Sequence, residues 1–269
     1  LHRHRARILM RWLLALCIAL LPMMAVAQAD GTRLSRFLED QLSDGDDRQV
    51  SITGFRGALS SEATLDRMTI SDADGVWLVL ENAVLDWTRA AIFRGELQVN
   101  ALTAERLEII RPPLPAETVA PTAESQPFSL PELPVRVEIG EIAIAEVVLG
   151  EGIIGLPAVL SVEGSFLLAN GAGNAEITLD RLDGPSGQFV LDAAYDNADR
   201  NLALSLLLEE APGGLAVPLL GLPDRPSVRM AISGEGPVEE FTADITLATD
   251  GEDRITGQVI SSLGANDDQ

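Results

Sequence analysis

LQVNALTAERLEI, residues 97–109, and VEIGEIAIAEVVL, residues 137–149, decide how this chain is read. In the first, apolar pairs fall at Leu97/Val99, Leu102/Ala104 and Leu107/Ile109. Forty positions on stand Val137/Ile139, Ile142/Ile144 and Val147/Leu149. Thirty-nine positions before the first, ATLDRMTI (63–70) carries a weaker version, Ala63/Leu65 and Met68/Ile70. Each pair is one step of an alternating strand. Between pairs the parity switches, and a flat strand would there turn its apolar residues to the opposite face. A bulge or tight turn every fifth residue keeps one face apolar throughout. The spacing predicts one long apolar β-surface.

From Pro157 onward the alternation is plain. Leu160, Val162, Phe166 and Leu168 share a face, as do Ile177 and Leu179, then Phe189, Leu191, Ala193 and Tyr195. Leu202, Leu204, Leu206 and Leu208 follow, then Val228, Met230 and Ile232, then Phe241, Ala243, Ile245 and Leu247. Turn clusters such as Asn170–Asn174, Asp183-Gly184-Pro185 and Asp196–Asp199 separate them, the pattern of an antiparallel meander with a single apolar face. The insert Gly213–Leu222 suits a short helix or loop lying on that face. Between the two patterned regions, 111–134 holds seven of the chain's 15 prolines, which marks a linker or edge crossing rather than a central strand. Upstream, Gly31–Ser43 reads as one amphipathic helix with Leu34, Phe37, Leu38 and Leu42 on one face. It plugs the end of a β core or lies on a membrane surface; its mixed-sign polar face favours the plug.

The 269 residues are 46% apolar and only 4% aromatic, so the core is built from Leu, Ile, Val and Ala. All 19 basic residues are Arg, and the net charge is −22. Beyond residue 29 there are 15 Arg against 41 carboxylates, a net of −26. Such a surface repels nucleic acid, and the reading includes no nucleic-acid partner. Arg3, Arg5, Arg7 and Arg11 precede the apolar run Trp12–Ala27, which ends in small residues. This is the layout of a secretory signal, either cleaved after Ala27 or Ala29 or retained as an anchor. Its membrane segment comprises Trp12, Leu13, Leu14, Leu16, Ile18, Leu20, Leu21 and Met24, and the flanking Arg places the remainder outside the cytoplasm. Met10 offers an alternative start.

The domain parse is therefore 1–29 signal or anchor, 30–48 amphipathic helix and turn, 49–111 first β segment, 112–134 crossing, 135–263 second β segment, and 264–269 tail. Chemistry has no visible seat in it. Cys17 lies inside the export run, and His2 and His4 lie before it, which leaves no imidazole for a triad or an ordinary zinc site. Without Lys there is no phosphate-binding P-loop. Asp72-Ala73-Asp74-Gly75 lacks a Glu at the twelfth position of a calcium loop and reads as a β-turn. The expectation is a protein that is not an enzyme, with no cofactor and no metal.

GFRGALSS (54–61), ATLDRMTISDADGVWLVLENAVLDW (63–87), LTAERLEIIRPPLP (102–115), FSLPELPV (128–135) and GLPDRPSVRMAISGEGPVEEF (221–241) together resemble the TamB family of the AsmA-like superfamily, the translocation and assembly module subunits, in its N-terminal portion. The resemblance implies an inner-membrane anchor, a long sheet curled into an open trough through the periplasm, and an apolar groove. It also implies phospholipid movement toward the outer membrane, and assembly of outer-membrane β-proteins beside an Omp85-type partner. Family members are several times longer, so the resemblance further implies a truncated or split product lacking the partner-binding region. The fold class expected is mainly β: an N-terminal apolar helix, then an elongated, curled, antiparallel-type sheet with an apolar inner face and a few short helices. An apolar sheet face is commonly the inside of a sandwich, but this chain offers few helices to cover an open meander. The candidate groove lining is Leu160, Val162, Phe166, Leu168, Ile177, Leu179, Phe189, Leu191, Leu202, Leu204, Leu206, Val228, Met230 and Ile232. Three readings follow: a lipid-conducting groove, a scaffold whose strand edges template a client strand, or a non-functional truncated fragment.

Overall fold

Among the described residues, alternating, β-branched and Leu-rich segments punctuated by Gly, Asn and Asp turns produce twelve strands. They are β1 (Gln49–Thr53), β2 (Glu62–Asp72), β3 (Gly75–Trp87), β4 (Glu96–Ile109), β5 (Arg136–Leu149) and β6 (Ala158–Ala169). After them come β7 (Ala172–Arg181), β8 (Gly187–Asp196), β9 (Asn201–Glu210), β10 (Val228–Pro237), β11 (Glu240–Thr249) and β12 (Glu252–Ser262). A 3-10 helix spans Arg89–Arg94, and two four-residue helices are α1 (Glu151–Ile154) and α2 (Ala216–Leu219). The computed structural model describes residues 48–57, 60–114, 129–133 and 135–262, with Glu39 and Ser43. The export segment Trp12–Ala27 and the tail 264–269 lie outside the described residues.

All twelve strands form one sheet in sequence order, β1 to β12. Every extensive contact between strands joins sheet neighbours, so the described residues make a single open layer and not a sandwich. The two β segments expected at 49–111 and 135–263 are parts of this one sheet. Ten of its eleven pairings are antiparallel; β4 and β5 are parallel. The antiparallel-type sheet read from the alternation is corrected at this seam. Parallel neighbours need a long crossover, and residues 110–135, with their prolines, supply it. The Pro-rich stretch thus joins two neighbouring strands in the middle of the sheet order.

The forty-residue spacing is the register of that seam. Glu96 pairs with Arg136 and Ile109 with Leu149, with the offset held at 40 throughout. Leu97/Val99, Leu102/Ala104 and Leu107/Ile109 face Val137/Ile139, Ile142/Ile144 and Val147/Leu149 one for one. A parallel pair keeps register only if both strands change parity at the same steps, because a one-residue slip would flip every side chain beyond it. The weaker thirty-nine-residue spacing has a related origin. β2 and β4 run in the same direction on either side of β3, giving Ala63–Leu85–Leu102, Leu65–Ala83–Ala104, Met68–Leu80–Leu107 and Ile70–Leu78–Ile109. Where plain strands meet irregular ones the register shifts instead: at Asp86/Trp87 between β3 and β4, and at Ile139/Ile142 and Ile144/Val147 between β5 and β6. Asn82, at φ 50°, supplies the left-handed residue of the β3 irregularity between Glu81 and Ala83.

The sheet's first edge is occupied. The Glu39 carboxylate accepts a hydrogen bond from the Ile52 amide, and the Ser43 hydroxyl accepts one from the Val50 amide at 3.0 Å. Of the helix expected at 31–43 these two residues are described. Glu39 is helical, and both sit beside β1.

Candidate functional site: an apolar sheet face

Successive registers trace rows across the strands, and two rows on one face are apolar from β2 to β12. The first runs Leu65, Ala83, Ala104, Ile144, Val162, Leu179, Phe189, Leu208, Met230, Leu247 and Ile255. The second runs Ala63, Leu85, Leu102, Ile142, Gly164, Ile177, Leu191, Leu206, Ile232, Ile245 and Gly257. Ten inter-strand steps of about 4.8 Å make each row roughly 48 Å long. Flanking them, Trp87, Val99, Ile139, Phe166, Ala175, Ala193 and Leu204 form a third.

The opposite face is the more polar of the two, although Val79, Val190 and Leu207 also lie on it. Ser165, Glu176, Asp192, Ser205, Ser233, Asp244 and Gln258 form one of its rows. Arg67, Glu81, Arg106 and Glu146 form another of alternating sign, with ion pairs Arg67–Glu81 at 2.7 Å and Arg106–Glu146.

Two covers lie on the apolar face, one at each end of the strands. Leu130 and Leu133 of the crossover pack on Trp87, Leu97, Val99, Val137 and Leu168. Asn197, in the β8–β9 turn, holds this cover with two hydrogen bonds of 2.8 Å, accepting from the Leu130 amide and donating to its carbonyl. At the other end α2 seats Ala216 and Val217 against Val228, Leu208, Leu222 and Leu247. Its anchor is Glu210, buried at 8% exposure, whose carboxylate accepts from the Leu215 and Ala216 amides at 3.0 and 2.6 Å. Gly214 is required beside it, because a Cβ there would fall 2.4 Å from a Glu210 carboxylate oxygen.

The crossover has a second fastening where it leaves β4. Arg111 donates to both carboxylate oxygens of Asp72, and the Leu114 and Asp74 amides donate to the same carboxylate at 2.9 and 3.0 Å. The Arg111 hydrogen bond and charge hold the Asp72 carboxyl well below the usual carboxylate range, against the opposing effect of burial. At Asp183, burial pushes the carboxyl up, but the Val159 amide and the Arg181 guanidinium outweigh it and the net shift is downward. Both groups are structural clamps. Among the described residues no cluster of His, Cys, Asp and Glu could hold a metal ion.

All fourteen candidate lining residues share the one apolar face. Leu168 and Val228, 4% and 2% exposed, lie beneath the two covers. The other twelve are half-buried in the band between them or beside it. Leu85, Leu102, Ile142 and Ile144 extend the same band into β3–β5, and Ile245 and Ile255 extend it toward β12. Leu102, Ile142 and Ile144 belong to the forty-residue spacing and Ile245 to the later alternation, while Leu85 and Ile255 were not singled out in the sequence; none of their strand neighbours was legible there. The candidate membrane segment, Trp12 to Met24, lies outside the described residues, and no described helix is long and apolar enough to cross a membrane. Comparison with protein-family models, with curated proteins and with solved structures finds no match to this chain.

Proposed function

We propose that this chain is the N-terminal part of an inner-membrane-anchored periplasmic protein of the AsmA-like, TamB-type kind. It is not an enzyme, and its apolar sheet face, curled into an open trough, carries phospholipid acyl chains toward the outer membrane. The observation that supports this most is the pair of apolar rows crossing eleven strands, open along their middle and covered near Leu85 and Leu102 by the crossover cluster and at Leu208 and Leu247 by α2. An acyl chain laid along them gains about 0.8 kcal/mol per buried methylene. Because Leu, Ile and Val recur at every strand, that energy changes little along the path, and a chain can slide without a deep trap. Support of outer-membrane protein assembly with an Omp85-type partner belongs to the same proposal, through the family resemblance.

Replacing Leu204 and Leu206 by Asp places two charges in the middle of the open band. Phospholipid that co-purifies with, or photo-crosslinks to, the wild type should then be lost, as read by mass spectrometry. Unchanged lipid binding in a folded double variant defeats the reading.

A scaffold that templates a client strand is the second reading, favoured by β12. Among the described residues that strand pairs only with β11, and Ile255 is 54%, Val259 53% and Ile260 68% exposed. A client strand added there would be lost on substitution of Pro for Gln258, while lipid binding on the central band would remain.

A further inference from the structure

The first apolar row is interrupted at β9–β11 by a segment of the same chain. Leu208 of β9 and Leu247 of β11 belong to that row, and Val228 of β10 lies one row nearer the strand ends. Ala216 and Val217 of α2 cluster with all three, together with Leu222. On either side the row is open: Phe189 of β8 is half-buried, and Ile255 of β12 is 54% exposed. The inward side chains of the segment therefore stand where an acyl chain on this row would lie.

This cover is fastened more lightly than the other. The crossover is held by Asn197 over one stretch, and by Asp72 and Arg111 where it leaves β4. α2 is a single turn, and its hydrogen bonds to the sheet run to one carboxylate, Glu210, from the Leu215 and Ala216 amides. The Leu220 amide donates to the Ala216 carbonyl and the Leu222 amide to the Val217 carbonyl, so these bonds stay within the segment. Gly213 and Gly221, at φ 79° and 64°, bracket it. Asp224 and Arg225 follow in the left-handed region, at 64° and 54°, where a side chain costs free energy. Such a segment has two hinges and little to hold it shut.

Its outer side is apolar as well, with Leu219 57% and Leu220 47% exposed. A segment lifted by an acyl chain thus keeps an apolar flank to lay against it. The exchange is close to balanced. Apolar area that Ala216, Val217 and Leu222 cover on the sheet is covered instead by methylene groups, and hydrophobic burial does not discriminate between the two. What is given up is the pair of Glu210 hydrogen bonds, whose partners then meet water at the end of the strands.

We propose that α2 is a gate in the apolar path. It covers Leu208, Val228 and Leu247 when no lipid is there, and swings on its Gly213 and Gly221 ends when an acyl chain passes between β8 and β12, with Glu210 as its latch. The gate rests on the acyl-chain carriage proposed above, and adds to it a step at which passage is controlled.

The test uses the full chain in amphipol and a phosphatidylethanolamine carrying a photoreactive diazirine in one acyl chain. Hydrogen exchange read by mass spectrometry should show the amides of 215–222 exchanging several-fold faster once this lipid is added, while those of 202–208 do not. After illumination, peptide mapping should find label at Leu204 and Leu206 in the open band, and also at Leu208 and Leu247 beneath α2. Glu210→Ala, which removes the latch, should raise labelling at Leu208 and Leu247 several-fold and leave Leu206 unchanged. Gly214→Ala, whose Cβ would collide with the Glu210 carboxylate, should act in the same direction. Label confined to Leu204 and Leu206, with unchanged or slower exchange over 215–222, overturns the gate and leaves carriage standing. Absence of label at every one of these positions defeats carriage, and the gate with it. Should the variants fail to fold, exchange and label in the wild type decide by themselves.

Discussion

The two halves of the sheet reach the same apolar face by different routes. From β6 to β12, plain alternation and short turns between most neighbours suffice, and each register runs with little or no interruption. From β2 to β5, the strands change parity part-way along, and apolar residues stay on one face because neighbouring strands change together. The first half also contains the parallel seam, and with it a crossover that must be fastened by Asp72–Arg111 at one end and Asn197 at the other. Between the halves, the register shifts of β5 on β6 absorb the mismatch. A continuous face therefore does not require uniform strands. It requires that each irregularity be shared with a neighbour or cancelled at a seam.

Deleting Glu105 alone removes one residue from the β4 irregularity while β5 keeps its own, so the offset of 40 fails beyond Ala104. A loss of about 4 kcal/mol or more is expected in urea denaturation, since the last turn of pairing in β4 would present Leu107 and Ile109 to the polar face. Deleting Ala145 as well should recover part of the loss, by restoring a constant offset across the seam. A single deletion as mild as a surface substitution would break the account of shared irregularities. No such sensitivity is expected of β6–β12 turns, where an added residue stays in the loop.

Truncation next separates covered from open parts of the face. Leu97, 4% exposed beneath the crossover cover, should cost about 3 kcal/mol as Leu97→Ala. Leu206, half-buried in the open band, should cost about 1 kcal/mol as Leu206→Ala. Equal losses in chemical denaturation would mean that the middle of the band is covered as well as its ends.

The Asp72 clamp gives a pH test confined to the first half. Its folded carboxyl titrates below the ordinary range, so its contribution is fully present above the unfolded value near pH 4 and fades as pH falls below it. Asp72→Asn should accordingly be less stable than the wild type by a constant amount around neutrality, and the two curves should converge in acid. Failure to converge would assign the loss to geometry and not to charge. The smallest effect belongs to the polar face: Arg67→Ala, opposite Glu81, should change stability by less than about 1 kcal/mol, and by less still in high salt.

Much of this was legible in order along the chain. Period-two runs such as Leu202–Leu208 announced strands and their apolar side, and Asp72–Gly75 announced its turn, with Gly75 at φ 99° and the Asp72 carboxylate on the Asp74 amide. The apolar insert 213–222 was expected on the face it now covers through α2. Less legible was the meaning of the forty-residue spacing, which read as a device within each strand and is also a register between two. Alternation reports which side a residue faces but not which strand stands next to it, so neither the parallel seam nor its crossover could be read from it. The role of Leu130 and Leu133 was hidden for the same reason: two apolar residues among prolines carry no period, and their place follows from the Asn197 hydrogen bonds and the cluster around Trp87.

By itself the sequence determined the β class, several of the turns, and the apolar side of the patterned strands, because side-chain direction in an extended chain follows from local parity. Tertiary structure alone decided that the strands form one open layer in sequence order, that β4 and β5 run parallel, and which parts of the apolar face are covered. These are choices among partners with equally apolar sides, and they are settled by crossover length, shared irregularities and a few buried carboxylate and amide clamps.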